Sequence, residues 1–134
     1  MLTPVLTLIV WTLLIWLWMY ATRIPAMQKA GIQPQDARFP GSLDKLPDSA
    51  RQVADNYNHL MEQPTIFYAT ALALAVVGQG AGLNASLAWG YVVLRVIHSL
   101  VQATTNVILI RFSIFMLASV VLLALAVRAA MAVI

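Results

Sequence analysis

Two long stretches of this chain carry no formal charge, Met1–Thr22 and Gln63–Leu94. The hydrocarbon core of a bilayer takes about 20 apolar residues per helical crossing, so each stretch is long enough to enter a membrane. Hydrophobic residues make up 61% of the 134, and charged residues only 10%. A soluble domain carries roughly a quarter charged residues, so this chain cannot keep its surface in water. The expected fold is an all-α membrane protein, a four-helix transmembrane bundle forming one domain over 1–134.

Punctuation along the chain puts the expected helices at about 4–22, 50–77, 83–110 and 112–134. Trp11, Trp16, Trp18 and Tyr20 gather toward the end of the first, and such rings suit a membrane boundary. No Lys or Arg precedes that run, so it reads as a retained helix rather than a cleaved signal peptide. Pro25, Gly31, Pro34, Pro40, Gly41 and Pro47 make 23–49 an extramembrane loop. Asp48 or Ser49 is expected to cap the second helix, which starts at Ala50. The run Gly78-Gln79-Gly80-Ala81-Gly82 divides the long uncharged stretch into two spans, and Arg111 marks the turn before the fourth. Four spans put both termini on one side. Lys and Arg concentrate on the other, which the positive-inside rule makes cytoplasmic, with Arg128 as the exception. Compact loops without a retention signal point to a bacterial inner membrane. Asn84-Ala85-Ser86 fits a glycosylation triplet, but it stands at a helix start and is set aside.

Charge and residue types exclude several functions. Net charge is +3, yet five of the eight cations (Arg23, Lys29, Arg38, Lys45 and Arg51) sit in one connector. That pattern orients a membrane protein and makes no nucleic-acid face. The chain has no cysteine, so any thiol chemistry needs a thiol from a cosubstrate. The two histidines, His59 and His98, lack a third clustered ligand and make no metal site. No phosphate loop, no Gly-x-Ser-x-Gly elbow and no paired catalytic carboxylates occur.

Polar residues recur in two stripes. Arg51, Asp55, Asn58 and Glu62 lie four, three and four residues apart, hence on one helical face. Arg51 and Asp55 read equally well as an ordinary surface pair. Glu62 does not, because no charge follows it until Arg95. A carboxylate at membrane depth costs roughly 2.5–3.5 kcal/mol on insertion scales, so it implies a partner or a function. Pro64 is expected to kink the helix just beyond it. On the next helix Arg95, His98, Gln102 and Asn106 lie three, four and four apart. Gln102 and Asn106 serve as readily for interhelical packing. Arg95 demands a carboxylate, and Glu62 is the one at its depth. An Arg95–Glu62 ion pair is expected, or both grip one zwitterionic ligand. Ala69, Ala73, Ala118 and Ala129 read as close helix packing.

Two blocks carry a family resemblance. The first is Asn58-His59-Leu60-Met61-Glu62-Gln63-Pro64 with Phe67-Tyr68 following; the second is Arg95-Val96-Ile97-His98-Ser99 followed by Asn106 and Arg111. With the four-helix layout and the long first loop, the chain resembles the MAPEG family, membrane-associated proteins of eicosanoid and glutathione metabolism, over nearly its whole length. The resemblance implies a homotrimer that binds glutathione between neighbouring subunits near the cytoplasmic face. Carried over by position, Asn58 and Glu62 would hold peptide polar groups and the γ-glutamyl amine. Arg51 would hold a carboxylate, and Arg111 would face the sulfur. Arg23 matches a further carboxylate clamp, and Arg95 and His98 complete the glutathione-binding set.

The function implied is a membrane-bound glutathione transferase or peroxidase acting on a lipophilic electrophile that arrives from the bilayer. Where family synthases place Ser or Tyr near the thiolate arginine, this chain has Phe112 and Phe115, with Ser113 close by, and Gln102 stands where some members have Tyr. The spacing from Asn58 to Glu62 is also looser. Prostaglandin or leukotriene synthesis is therefore not expected. The alternative is a non-enzymatic lipid-binding or partner-presenting protein. A small multidrug transporter would gain nothing from Arg95 and Arg111, which repel a cationic substrate.

Overall fold

A computed structural model describes residues 1–38 and 41–134. It contains α1 (Leu2–Ala30), a short 3-10 turn (Pro34–Ala37), α2 (Asp48–Leu60), α3 (Pro64–Val76), α4 (Leu83–Ala103) and α5 (Ile108–Val133). No strand occurs among the described residues.

The first helix continues eight residues beyond its expected end at Thr22, through Pro25 to Ala30. Proline removes one backbone bond, and the helix continues past that loss. Here Met19, Val53, Ala54 and Ala103 form a buried cluster with Trp18 and Tyr57 against it, joining α1 to α2 and the end of α4. Gly31 then stops α1 in the left-handed region at φ 69. Its N–H reaches the Gln28 carbonyl while Ile32 N–H reaches Met27, a paired closure that favours glycine. The connector thus starts at Gly31, not residue 23. Pro40, expected as a breaker, lies outside the described residues.

The expected continuous helix over 50–77 is two helices. The ring of Pro64 clashes with the carbonyl four residues back, at Leu60, where α2 ends. Met61, Glu62 and Gln63 form the break, and Pro64 opens α3 with no N–H to leave unpaired. The start also differs: Pro47 is the cap of α2, and neither Asp48 nor Ser49 caps it by side chain.

The last two expected spans meet earlier than their sequence punctuation implies. Helix α4 ends at Ala103 and α5 begins at Ile108, so the turn is 104–107 and Arg111 stands inside a helix. Asn106 makes that turn with φ 51, a backbone region Asn tolerates better than most residues. Asn106 therefore leaves the polar stripe of α4.

Helix α4 lies at the centre, against α5, α1 and α2, while α3 packs on α5 and α1. The core gathers Leu8 and Ile15 of α1, Leu60 of α2, Phe67 and Leu74 of α3, Tyr91 and Val92 of α4, and Leu122 and Leu125 of α5. Phe67 stacks on Tyr91 at 4.6 Å. Ala118 is fully buried, but Ala69 and Ala73 are exposed in the protomer and do not pack helices within it. Leu6, Leu13 and Leu17 of α1 and Phe112, Leu117 and Leu123 of α5 face outward. Those two helices are long and apolar enough to cross a membrane.

Candidate functional site

The two polar stripes do not face one another. Arg51, Asp55 and Asn58 turn toward the connector and line a cleft of about 490 Å³ with Arg23 of α1 and Arg38 and Asp44 of the connector. Arg51 reaches Asp44 at 3.7 Å, both side chains largely exposed. Exposed pairs of this kind contribute under about 1 kcal/mol, so the guanidinium can be drawn to another anion at small cost. The long reach of α1 past Thr22 is what brings Arg23 to this cleft.

Glu62 is the member that fails to join. It sits at the α2–α3 break, exposed, and it pairs with no cation among the described residues. The expected Arg95–Glu62 ion pair is not formed. The break explains the result, because the helical register that put Glu62 above Asn58 ends at Leu60.

Helix α4 instead meets a different row of α2. Gln52, Asn56, His59 and Gln63 are spaced four, three and four, and each reaches across. Gln52 Nε2 donates to the Thr104 carbonyl at 3.1 Å, and Asn56 Nδ2 to Ser99 Oγ at 2.6 Å. Arg95 Nη2 donates to His59 Nδ1 at 2.9 Å. At the break, Tyr91 Oη donates to Gln63 Oε1 at 3.0 Å while Gln63 Nε2 donates to Ser119 Oγ of α5 at 2.9 Å. One amide therefore ties three helices where the backbone ladder is interrupted. Sequence reasoning missed these four residues as a group. Their spacing is plain in the chain, but the charged row one position away has the same period, and only packing decides which row faces α4.

Around Arg95 the chemistry is concentrated. Its side chain is fully buried, and its Cζ lies 5.8 Å from the ring centre of Phe115, a cation–π distance. A guanidinium has no acceptor, so His59 Nδ1 must offer its lone pair and the imidazole proton resides on Nε2. The His59 and His98 rings stack at 4.8 Å, and the Phe115 and His59 rings meet edge-to-face at 5.2 Å. Arg95 Nε and Nη1, His98 Nδ1, Asn56 Oδ1 and Gln102 Oε1 are buried without a protein partner among the described residues. Native interiors leave few such atoms unmatched, and here they sit together on α2 and α4. These atoms leave unmet hydrogen-bonding capacity along the seam.

Arg111 approaches the same region from α5. It is one turn before Phe115 and shares its helical face. Its Nη1 donates to Asn106 Oδ1 at 2.8 Å, so the tight turn that ends α4 also fixes this cation. Ser113 is turned away, its hydroxyl bonded back to the Leu109 carbonyl. Of the residues anticipated for a site, Arg23, Arg51 and Asn58 share the cleft, Arg95 and His98 share the inner cluster, and Glu62 forms an ion pair with none of them.

A comparison with protein-family models matches residues 1–131 to the MAPEG family. No curated protein and no solved structure matches the chain. With a match over nearly its full length and a wholly helical architecture, this chain belongs to the MAPEG family and is a helical membrane bundle.

Proposed function

We propose that this protein is a membrane-bound glutathione-dependent transferase or peroxidase that activates the glutathione thiolate against lipophilic electrophiles. The observation that carries the reading is the gathering of Arg23, Arg51 and Asn58 in one open cleft, with Arg111 held by Asn106 on the adjoining helix pair. Glutathione has two carboxylates, an amine, two amides and a thiol. Arginines bind carboxylates bidentately and stay charged in a dry site. Arg23 and Arg51 take the carboxylates, Asn58 an amide, and the exposed Glu62 the amine. Arg95 and His98 back the peptide from within. The reading includes a homotrimer, in which subunit contacts bring the cleft and Arg111 to one ligand and cover the outward apolar faces of α1 and α5.

Arg111 then faces the sulfur. A nearby guanidinium lowers a thiol pKa from about 8.5 and raises the thiolate fraction at neutral pH. The thiolate attacks the electrophilic carbon, a C–S bond forms, and the leaving group departs with the electron pair of its bond. The proton released on ionisation goes to solvent. Phe112 and Phe115 give the lipophilic partner an apolar approach from the bilayer.

The test is conjugation of glutathione to a chloronitrobenzene by detergent-purified protein. Turnover above an Arg111→Ala control supports the reading, and none above it sinks it. The phenylalanines beside Arg111 favour a second reading, non-enzymatic lipid binding, which predicts lipid retention with no turnover in the same preparation. The reading also includes a bacterial inner-membrane location with the connector cytoplasmic, and the distribution of cations supports it.

A further inference from the structure

Past Glu62 the chain has no acidic residue, and past Arg111 its single charge is Arg128. The two arginines on α5 stand seventeen positions apart, about 26 Å at roughly 1.5 Å per residue, close to the thickness of a hydrocarbon core. Phe112–Val127 between them is uncharged. With Arg111 near the connector-side boundary, Arg128 lies at the opposite one, where lipid phosphates are.

Arg128 is held in a way that a side chain merely reaching for water would not need. Its Nε donates to Asn84 Oδ1. Asn84, only 5% exposed, is itself fixed, since its Nδ2 donates to the Gln79 carbonyl at 2.7 Å. Both ends of a buried amide are thereby used to orient one guanidinium. Arg128 makes no ion pair among the described residues, and its two terminal nitrogens donate to none of them. Arg128 borders a small cleft of about 260 Å³ that Gln79, Asn84, Met131 and Ala132 also line. A fixed planar fork with no carboxylate to meet it matches a phosphate. Among the described residues no carboxylate meets it.

We propose that the Arg128–Asn84 cleft is an anion site for the phosphate of an anionic phospholipid in the leaflet opposite the basic connector. Free phosphate offers the same chemistry, and the test separates the two. Detergent-purified wild type, Arg128→Gln, Arg128→Lys and Met131→Glu are each mixed with phosphatidylglycerol, with diacylglycerol of the same chains, or with inorganic phosphate. Retained lipid is counted by native mass spectrometry, and thermal stability is followed for the phosphate arm. Met131 is 76% exposed, so Met131→Glu sets a carboxylate in the cleft without touching the Arg128–Asn84 bond and covers the case in which Arg128→Gln fails to fold. Phosphatidylglycerol retention is expected to fall about fivefold in Arg128→Gln and Met131→Glu, the scale of one basic residue at an anionic surface, and less in Arg128→Lys. Diacylglycerol retention is expected to be unchanged. Equal phosphatidylglycerol retention by wild type and by both the Gln and Glu variants overturns the proposal. Stabilisation by inorganic phosphate that depends on Arg128, without lipid retention, overturns the lipid as its source.

Discussion

Arg95 and His59 meet across the α2–α4 seam, Nη2 to Nδ1 at 2.9 Å, so a fully buried cation is held by a neutral ring rather than by a carboxylate. The same guanidinium also reaches the His59 carbonyl at 3.4 Å and lies over Phe115. None of these partners cancels its charge. Its Nε and Nη1 are buried without a partner among the described residues, so part of the hydrogen-bonding capacity of Arg95 is unmet.

Replacing His59 tests that relationship. His59→Leu leaves Nη2 with no side-chain acceptor in a buried setting and is expected to cost about 2–3 kcal/mol in unfolding from detergent. His59→Gln offers an acceptor to Arg95 and a donor on its other end, and is expected to recover most of the loss. Equal stability of the Leu and Gln variants would show that the hydrogen bond contributes nothing.

Gln63 makes a sharper case for coupling, because its amide bonds two helices at once. Gln63→Leu strands the Tyr91 hydroxyl among apolar neighbours and is expected to destabilise by about 1–2 kcal/mol. Adding Tyr91→Phe removes the stranded group. The double variant is then expected to be more stable than Gln63→Leu alone, a non-additivity that a double-mutant cycle reads directly.

How much of the fold is legible in the sequence depends on how physics is written into it. The uncharged runs Met1–Thr22 and Gln63–Leu94 announce α1 and the α3–α4 pair, because a chain that must stay in water rarely goes a full membrane thickness without a charge. Proline is less legible. Pro25 sits inside a helix and Pro64 ends one, and the ring chemistry is identical. Packing against α2 holds α1 at Trp18 and Met19, before the first, whereas Gln63 holds the interruption at the second through Tyr91 and Ser119. The site divides the same way. Arg23, Arg51 and Asn58 stand out by charge and spacing, and they share a cleft. The Gln52, Asn56, His59 and Gln63 row is hidden because uncharged polar residues beside a charged row of equal period draw no notice. Glu62 misleads because its register is counted through a helix that Pro64 does not allow to continue.

Asn106 separates backbone from chemistry at the α4–α5 turn. Its φ of 51 suits Asn or Gly, and its side chain accepts from Arg111. Asn106→Val is expected to lose about 1–2 kcal/mol of stability, since a β-branched residue resists that conformation. Asn106→Gly keeps the turn but releases Arg111. On the glutathione-transferase reading, the glycine variant folds normally and conjugates more slowly, while an unchanged rate would mean that Asn106 does not position the arginine for chemistry.

Arg111 offers the test that reaches furthest into mechanism, because its effect has a sign in pH. On the proposed reading, the guanidinium stabilises the thiolate, so the bound thiol ionises below its ordinary value of about 8.5. Removing the cation in Arg111→Ala returns ionisation toward that value. Near neutral pH the variant then has little thiolate and its conjugation rate is expected to fall at least about tenfold. Above about pH 9 the thiol ionises unaided, so that part of the deficit narrows. Arg111→Lys keeps a positive charge and is expected to lie between the two, weaker than arginine because a point charge cannot hold both Asn106 and sulfur in one plane. The measurement is the rate of glutathione conjugation against pH, with binding followed separately by thermal stabilisation. A deficit that is the same at every pH, with glutathione still bound, would assign Arg111 to placing the substrate and not to ionising the thiol.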